Sequence, residues 1–256
     1  MKHLLSTDGL QALDAVLHLQ PLLAFDFDGT LAPIVAHPGQ ARVPSDIARQ
    51  LAQLATLFPT AVITGRSVAD VAPRLGFEPT YIVGSHGAEE AGNLPPHLAA
   101  EAIEALDRLR LKVFEHSLRL NQVEVVAEDK QHCFAFHYRL APDHELARAA
   151  IAALLEGLEP GLASFGGRCV VNVVAASAPD KGDAVATLVR RSCAGAAFFV
   201  GDDVNDEAVF DRSEPHWLTV RVGRDDPASK ARFFLDNHSE VAAMLHQMLF
   251  MAGADQ

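Results

Sequence analysis

Two clusters of carboxylates stand directly behind short apolar runs, and their spacing suits work on a phosphoryl group. Asp26-Phe27-Asp28-Gly29-Thr30 follows Leu22-Leu23-Ala24-Phe25. The alternation of a strand end sends Asp26 and Asp28 to one side, and Gly29 permits a sharp turn. Two adjacent carboxylates repel unless a divalent cation lies between them, and Mg²⁺, a hard ion with oxygen ligands, is the natural choice beside a phosphate. Gly201-Asp202-Asp203-Val204-Asn205-Asp206-Glu207 repeats the arrangement behind Ala196 to Val200, and would bring Asp202, Asp203 and Asp206 to the same cage. Each cluster also has a plain explanation, since Asp and Gly are common in turns and acidic residues suit the first turn of a helix. Two acidic strand ends in one sheet argue against coincidence.

Thr64-Gly65-Arg66-Ser67 and Pro179-Asp180-Lys181-Gly182 supply the complement. A hydroxyl and backbone N–H groups at a helix start can hold phosphoryl oxygens. A lysine can neutralise charge on an anionic nucleophile and on the group in transfer. Lys181 alone would read as a solvated surface lysine; the full set of four clusters points elsewhere.

The elements that must position these residues read as a parallel α/β sheet. Short apolar runs end in polar, Gly-containing loops at Asp26, at Thr64, at Gly84 after Tyr81-Ile82-Val83, and at Gly201. Helical spacing follows two of them: Ile47, Leu51, Leu54 and Ala55 behind Ser45, and Val68, Val71 and Leu75 behind Ser67, each serine placed as an N-cap. Ligands of such sheets bind beyond the carboxyl ends of the strands, where every polar cluster falls. The middle of the chain breaks the pattern. A helix from about Pro95 to Ser117 is expected there, then strands at Val123 to Ala127 and Cys133 to Arg139. A helix over Asp143 to Leu158 with Leu146, Ala150, Leu154 and Leu158 on one stripe follows, and then a strand from Arg168 to Val174. The predicted architecture is a Rossmann-like parallel-sheet core, residues 1–86 and 177–256, carrying a smaller α+β insert, residues 87–176.

The formal net charge of −12 over 256 residues speaks against a nucleic-acid partner, and an acidic protein that handles phosphate must recruit a cation locally. Cys133, Cys169 and Cys193 lack the paired spacing of a zinc site and read as buried, reduced thiols. No apolar run is long enough to cross a bilayer, and Asp8, Asp14 and His18 interrupt the first residues, so neither a membrane partner nor a signal peptide is expected. The expected state is a cytoplasmic monomer.

In order and spacing, the four clusters resemble the haloacid dehalogenase superfamily, whose signature is D-x-D-G-T, a Ser/Thr after a second strand, a Lys, and G-D-D-x-x-D. The resemblance implies that Asp26 is a nucleophile forming an aspartyl-phosphate and that Asp28 protonates the leaving oxygen and then activates water. It further implies that Mg²⁺ is held by Asp26, the backbone carbonyl of Asp28, and Asp202. DFDGTLAPIVAHPGQARVP at Asp26 to Pro44, ITGRS at Ile63 to Ser67, GSHGAE at Gly84 to Glu89 and EDKQHCFAFHYR at Glu128 to Arg139 are together similar to the trehalose-6-phosphate phosphatases. That likeness covers most of the chain. It makes the insert a cap between the second and third motifs. It also assigns Glu128, Lys130, Arg139, Arg168 and Asn172 to the sugar, with Gly65, Arg66, His86 and Asn205 at the rest of the substrate.

Alternate residues on a strand share a face, which Glu128 and Lys130 satisfy, although an exposed ion pair would satisfy it too. His137 and Arg139 also alternate, but a histidine between aromatic neighbours suggests packing. Arg168 and Asn172 stand where the family usually has Lys and Glu, so one sugar-binding charge is missing. The rival readings are a phosphatase of sucrose phosphate or another glycosyl phosphate, a phosphomutase of the same superfamily, and a phospho-acceptor signalling domain. The last has no use for an acid such as Asp28 or for a cap.

Overall fold

The computed structural model describes residues 1–92, 100–224 and 226–253. In chain order the strands are β1 (Lys2–His3), β2 (Leu22–Phe25), β3 (Thr60–Ile63), β4 (Tyr81–Gly84), β5 (Glu89–Glu90), β6 (Val126–Asp129), β7 (Cys133–His137), β8 (Leu162–Gly167), β9 (Val170–Ala175), β10 (Ala197–Gly201), β11 (Leu218–Val222) and β12 (Phe233–Leu235). The α-helices are α1 (Thr7–Leu17), α2 (Ser45–Leu54), α3 (Val68–Val71), α4 (Ala100–Glu115), α5 (Ser117–Gln122), α6 (His144–Leu155), α7 (Lys181–Ser192), α8 (Glu207–Asp211) and α9 (Val241–Met251). The chain divides into two compact units, Met1–Leu94 with Pro179–Gln256, and Pro95–Ala178. None of the described helices is long and apolar enough to cross a membrane.

The first unit is built on a mainly parallel sheet of order β1-β12-β11-β10-β2-β3-β4-β5, in which β4 and β5 pair antiparallel. Every residue of β2, β3 and β10 is buried, which is why these strands read as unbroken apolar runs. Their side chains alternate between two layers. Leu23, Phe25, Val62 and Phe198 pack with Leu13 and Val16 of α1, Ile47 and Leu51 of α2, and Met244 and Met248 of α9. Leu22, Ala24, Ile63 and Phe199 pack with Val185 and Leu188 of α7 and with Val209 and Phe210 of α8. Residues Gly87 to Ala91 stay with this unit: β5 pairs with β4, and Ala91 N donates to Ile82 O at 2.9 Å.

Ser67 caps α3 by accepting from Asp70 N, whereas Ser45 is itself the first helical residue of α2 and the N-cap position falls to Pro44. Pro73 ends the α-helical part of the second crossover early, and a 3-10 turn over Ala72–Arg74 continues it.

In the second unit an antiparallel sheet of order β6-β7-β9-β8 carries Phe134, Phe136 and Val173 on the face that packs against Leu106 and Leu109 of α4 and Ile151 and Leu154 of α6. Several sequence expectations shift here. The helical reading at 95–99 lies outside the described residues, and the rest divides into α4 and α5. Strand β6 starts at Val126, because Val123 N and Val125 N both donate to Leu120 O and close α5. Helix α6 begins behind Asp143, whose side chain accepts from Leu146 N. Its buried stripe is Ala147, Ala150, Ile151 and Leu154; Leu146 is 56% exposed and lies off it. Strand β8 was not expected, since Leu-Ala-Ser-Phe-Gly-Gly carries little apolar alternation. Of the cysteines only Cys133 is buried, while Cys193 is exposed as the left-handed residue that ends α7.

Candidate active site

Strand β2 is where the path of the chain through the sheet reverses, with β3 and β4 on one side and β10, β11 and β12 on the other. A crevice opens beyond the carboxyl ends of strands at such a point. Asp26 continues β2 by one residue, its N–H donating to Val200 O at 2.9 Å. By strand parity it follows Leu22 and Ala24 onto the α7 side, and α7 begins with Lys181. Lys181 Nζ donates to Asp26 Oδ1 and to Asp206 Oδ1, each at 2.7 Å, and its side chain is only 1% exposed. The start of α7 is fixed by a capping box between Asp180 and Asp183, with Arg212 donating to both.

Carboxylate oxygens of Asp26, Asp202 and Asp206, all buried, lie within 4.8 Å of one another. Gly29 lets the two motifs meet: its φ is +82°, and a Cβ there would fall 2.1 Å from Asp202 Oδ2. Burial pushes the Asp26 carboxyl up to about 7, against the pull of Lys181, with the negative charges of Asp206 and Asp28 adding to the rise. Burial acts to lower the Lys181 ammonium, but Asp206 and Asp26 outweigh it and the net shift is upward. Asp203 stands apart from this cluster. Its Oδ1 accepts from Val204 N and its own N–H donates to Asp206 Oδ2 at 3.0 Å, so it caps the turn that carries Asp206.

Asp28 is held by Arg66, Nε on Oδ2 at 2.7 Å and Nη2 on Oδ1 at 2.8 Å. Thr64, 1% exposed, accepts from Arg66 N at 3.1 Å, which leaves its hydroxyl hydrogen to donate elsewhere. Ser85 and His86 are consecutive non-glycine residues at φ +50° and +61°, a conformation costing about 1–3 kcal/mol each. Their N–H groups donate to Arg66 O and Thr64 O, at 2.8 and 2.9 Å. The buried His86 ring lies so near Gly65 that a Cβ there would meet Cε1 at 2.4 Å. Thus Asp26, Asp28, Thr64, Gly65, Arg66, His86, Lys181, Asp202, Asn205 and Asp206 are all carried by the first unit.

The remaining candidates lie in the second unit. Glu128, Ala135, Asn172 and Phe165 form one row across the sheet, on the face opposite Phe134 and Phe136. Glu128 Oε2 is 2.9 Å from His137 Nε2 and 3.6 Å from Lys130 Nζ. Asn172 is buried, and Arg139 Nη2 donates to the backbone carbonyl of the exposed Arg168 at 3.1 Å.

A family model described as trehalose-phosphatase matches residues 24–239. The chain belongs to that family. It is 32% identical over 251 residues to the trehalose-phosphate phosphatase of Mycobacterium ulcerans and 34% identical over 248 residues to that of Mycobacterium tuberculosis, each alignment covering 92% of this chain. The chain spans 64% and 63% of the length of those two relatives. Among solved structures, the C-terminal domain of a C. albicans trehalose-6-phosphate phosphatase superposes with a TM-score of 0.79 at 20% identity, over 95% of this chain and 96% of that one. A sucrose-phosphatase from Synechocystis, solved with sucrose and phosphate, superposes with a TM-score of 0.59 at 18% identity, over 91% of this chain and 98% of that one. A haloacid dehalogenase-like hydrolase from Bacteroides thetaiotaomicron does so with a TM-score of 0.64 at 14% identity, over 89% of this chain and 99% of that one. These three structures share the fold of this chain.

The donor set of the Asp26, Asp202 and Asp206 cluster suits a divalent cation. It offers oxygen ligands alone, and three buried carboxylates face one buried ammonium, an imbalance that a doubly charged ion offsets. Thr30 Oγ1 and Asn205 Oδ1 are buried atoms with no hydrogen-bond partner, as expected beside a site that binds a polar ligand. Two residues that sequence reasoning did not assign to the site also touch it, Asp70 through Arg66 and Glu89, whose Oε2 accepts from Val68 N at 3.0 Å and Ser85 Oγ at 3.3 Å, while in the second unit His137 contacts Glu128. Only Asp70 left a readable signal, since it stands four residues from Arg66 on a helix start.

Proposed function

We propose that this chain hydrolyses trehalose 6-phosphate to trehalose and phosphate, with Asp26 as nucleophile, a bound Mg²⁺ and an aspartyl-phosphate intermediate. The observation that carries the reading is the pairing of buried Lys181 with Asp26 and Asp206 beside Asp202, where β2 and β10 end. Lys181 engages Asp26 Oδ1, so Oδ2 is the oxygen offered to phosphorus. The Lys181 ammonium pulls against the burial that raises the Asp26 carboxyl, and so favours the ionised, aimed form that a nucleophile needs. Asp28, whose two oxygens accept from Arg66 as a carboxylate, takes a proton from solvent on one of them and gives it to the leaving sugar oxygen. Having lost that proton, it is the base that takes one from the water that cleaves the aspartyl-phosphate. Thr64 Oγ1–H and the N–H groups of the Thr64–Arg66 turn are donors for the phosphoryl oxygens. Asp26, Asp202 and the backbone carbonyl of Asp28 would hold Mg²⁺, with Asp206 setting Lys181 and Asp203 bracing that turn. The cation would spread the negative charge that gathers as carboxylate meets phosphate.

The relatives' names support the sugar, and Glu128, Lys130, Asn172, Arg139 and Arg168 of the second unit are its proposed readers, that unit serving as a cap. Phosphate release from trehalose 6-phosphate, with and without Mg²⁺, tests the reading. Trapping of a fluoride-based acyl-phosphate mimic on wild type but not on Asp26→Asn tests the nucleophile. Asn172 favours one second reading, a different glycosyl phosphate, because a neutral amide stands in the Glu128 row. A kcat/KM for trehalose 6-phosphate no higher than for glucose 6-phosphate or sucrose 6-phosphate would remove the sugar and keep the chemistry.

A further inference from the structure

Arg66 closes on Asp28 with one edge of its guanidinium, but the rest of that group is not idle. Nη2 also donates to Pro38 O at 2.9 Å, Nη1 donates to Asp70 Oδ2 at 2.6 Å, and the plane lies 5.1 Å from the Phe27 ring centre. The second oxygen of Asp70 is taken as well: Oδ1 accepts from Arg74 Nη2 at 2.5 Å and from Arg74 Nε at 3.2 Å. Arg74 in turn donates to Gly39 O at 2.5 Å and Ala41 O at 3.4 Å. Charges therefore alternate along Asp28, Arg66, Asp70 and Arg74, from the end of β2 to the loop over residues 38–41. Both arginine side chains are largely buried, at 11% and 13% exposure.

A guanidinium is planar, with donors in a fixed fork, so the direction of one edge is set by what holds the other. Asp28 is 41% exposed at its side chain, and the fork of Arg66 is what restricts it. We propose that Asp70, backed by Arg74, is a positioning residue for the leaving-group step: it aims Arg66 so that one arm of the fork keeps its hold on Asp28 while the other carboxyl oxygen, protonated from solvent in place of its contact with Arg66, faces the ester oxygen. This rests on the assignment of Asp28 as the acid for the departing sugar. Without Asp70 and Arg74 behind it, Arg66 could turn and Asp28 with it, and misplacement of an acid costs rate in proportion to how much the leaving group needs its proton.

The test compares two esters on the Mg²⁺-loaded full chain. A sugar alkoxide needs a proton to leave, whereas 4-nitrophenolate leaves without one, and kcat/KM reports only the steps through the first phosphoryl transfer. Asp70→Ala is expected to lower kcat/KM for trehalose 6-phosphate by about tenfold or more and for 4-nitrophenyl phosphate by less than about threefold. Arg74→Gln shifts the same ratio in the same direction by a smaller factor. Rates are expressed per active site titrated with the fluoride mimic, so loss of folded protein does not enter. If Asp70→Ala does not fold, Asp70→Asn and Arg74→Gln carry the comparison. An equal fall for both esters, or no fall for the sugar ester, overturns the positioning role. A wild-type protein that hydrolyses neither ester overturns the assignment of Asp28 and this inference with it.

Discussion

The carboxylate cluster of the first unit and the polar sheet face of the second handle charge in opposite ways. Asp26, Asp206 and Lys181 are 5%, 0% and 1% exposed, so each charge depends on its neighbour. On the other face the side chains of Glu128, Lys130 and His137 are 50%, 10% and 33% exposed, and water can stand in for a missing partner of Glu128. Removing one partner from a dry cluster strands the others, whereas a half-wet row loses only a contact. The lesson is that the proposed chemistry depends on buried partners, while the proposed contact of the half-exposed Glu128 with a sugar stays open to substitution.

The sharpest way to break this contrast is at the nucleophile. Asp26→Asn should lower turnover roughly a thousandfold or more while circular dichroism and the unfolding transition stay cooperative. Next is Lys181→Met, which leaves Asp26 and Asp206 facing each other. It should abolish activity and cost about 3–5 kcal/mol in urea unfolding without Mg²⁺, and a loss under 1 kcal/mol would mean that the cluster is not held by charge. Glu128→Gln tests the other side: kcat/KM for the sugar ester should fall about tenfold while stability changes by less than about 0.5 kcal/mol.

The last effect expected is read as a slope, in the pH dependence of the metal-free protein. Asp26 is pushed up to about 7 in the folded chain from an ordinary value of 3.8, chiefly by burial. The folded state therefore binds a proton that the unfolded state has lost between those values, so this group's contribution is complete below about pH 4 and is lost as pH rises through 7. In chelator, the wild-type stability should fall more steeply over that window than that of Asp26→Asn. Identical slopes would show that Asp26 is not raised.

Much of the first unit was legible because parity and topology act over a few residues. A run buried on both faces, a polar residue at its end and a glycine beside it were enough to put Asp26, Thr64 and Asp202 at strand ends, whereas Lys181 stood out only beside the other clusters. Contacts between distant segments were not. Nothing in Asp28 or Arg66 announces a bidentate bridge across 38 residues, and the separation of Asp203 from the cluster follows from the tight turn at Val204. The second unit was harder to read because its elements depend on pairing. The weakly patterned β8 becomes a strand only against β9, and the stripe of α6 turns toward Ala147 and Ile151 because the sheet lies there.

The central position of β2 sets an order of assembly. Its neighbour β10 begins at Ala197, so a chain emerging from the ribosome has made the whole of Pro95–Ala178 before β2 can gain its second edge partner. The short-range contacts of the inserted unit can close early, while the strand bearing Asp26 stays half-paired until late. The cluster around Asp26 is thus completed late in biosynthesis.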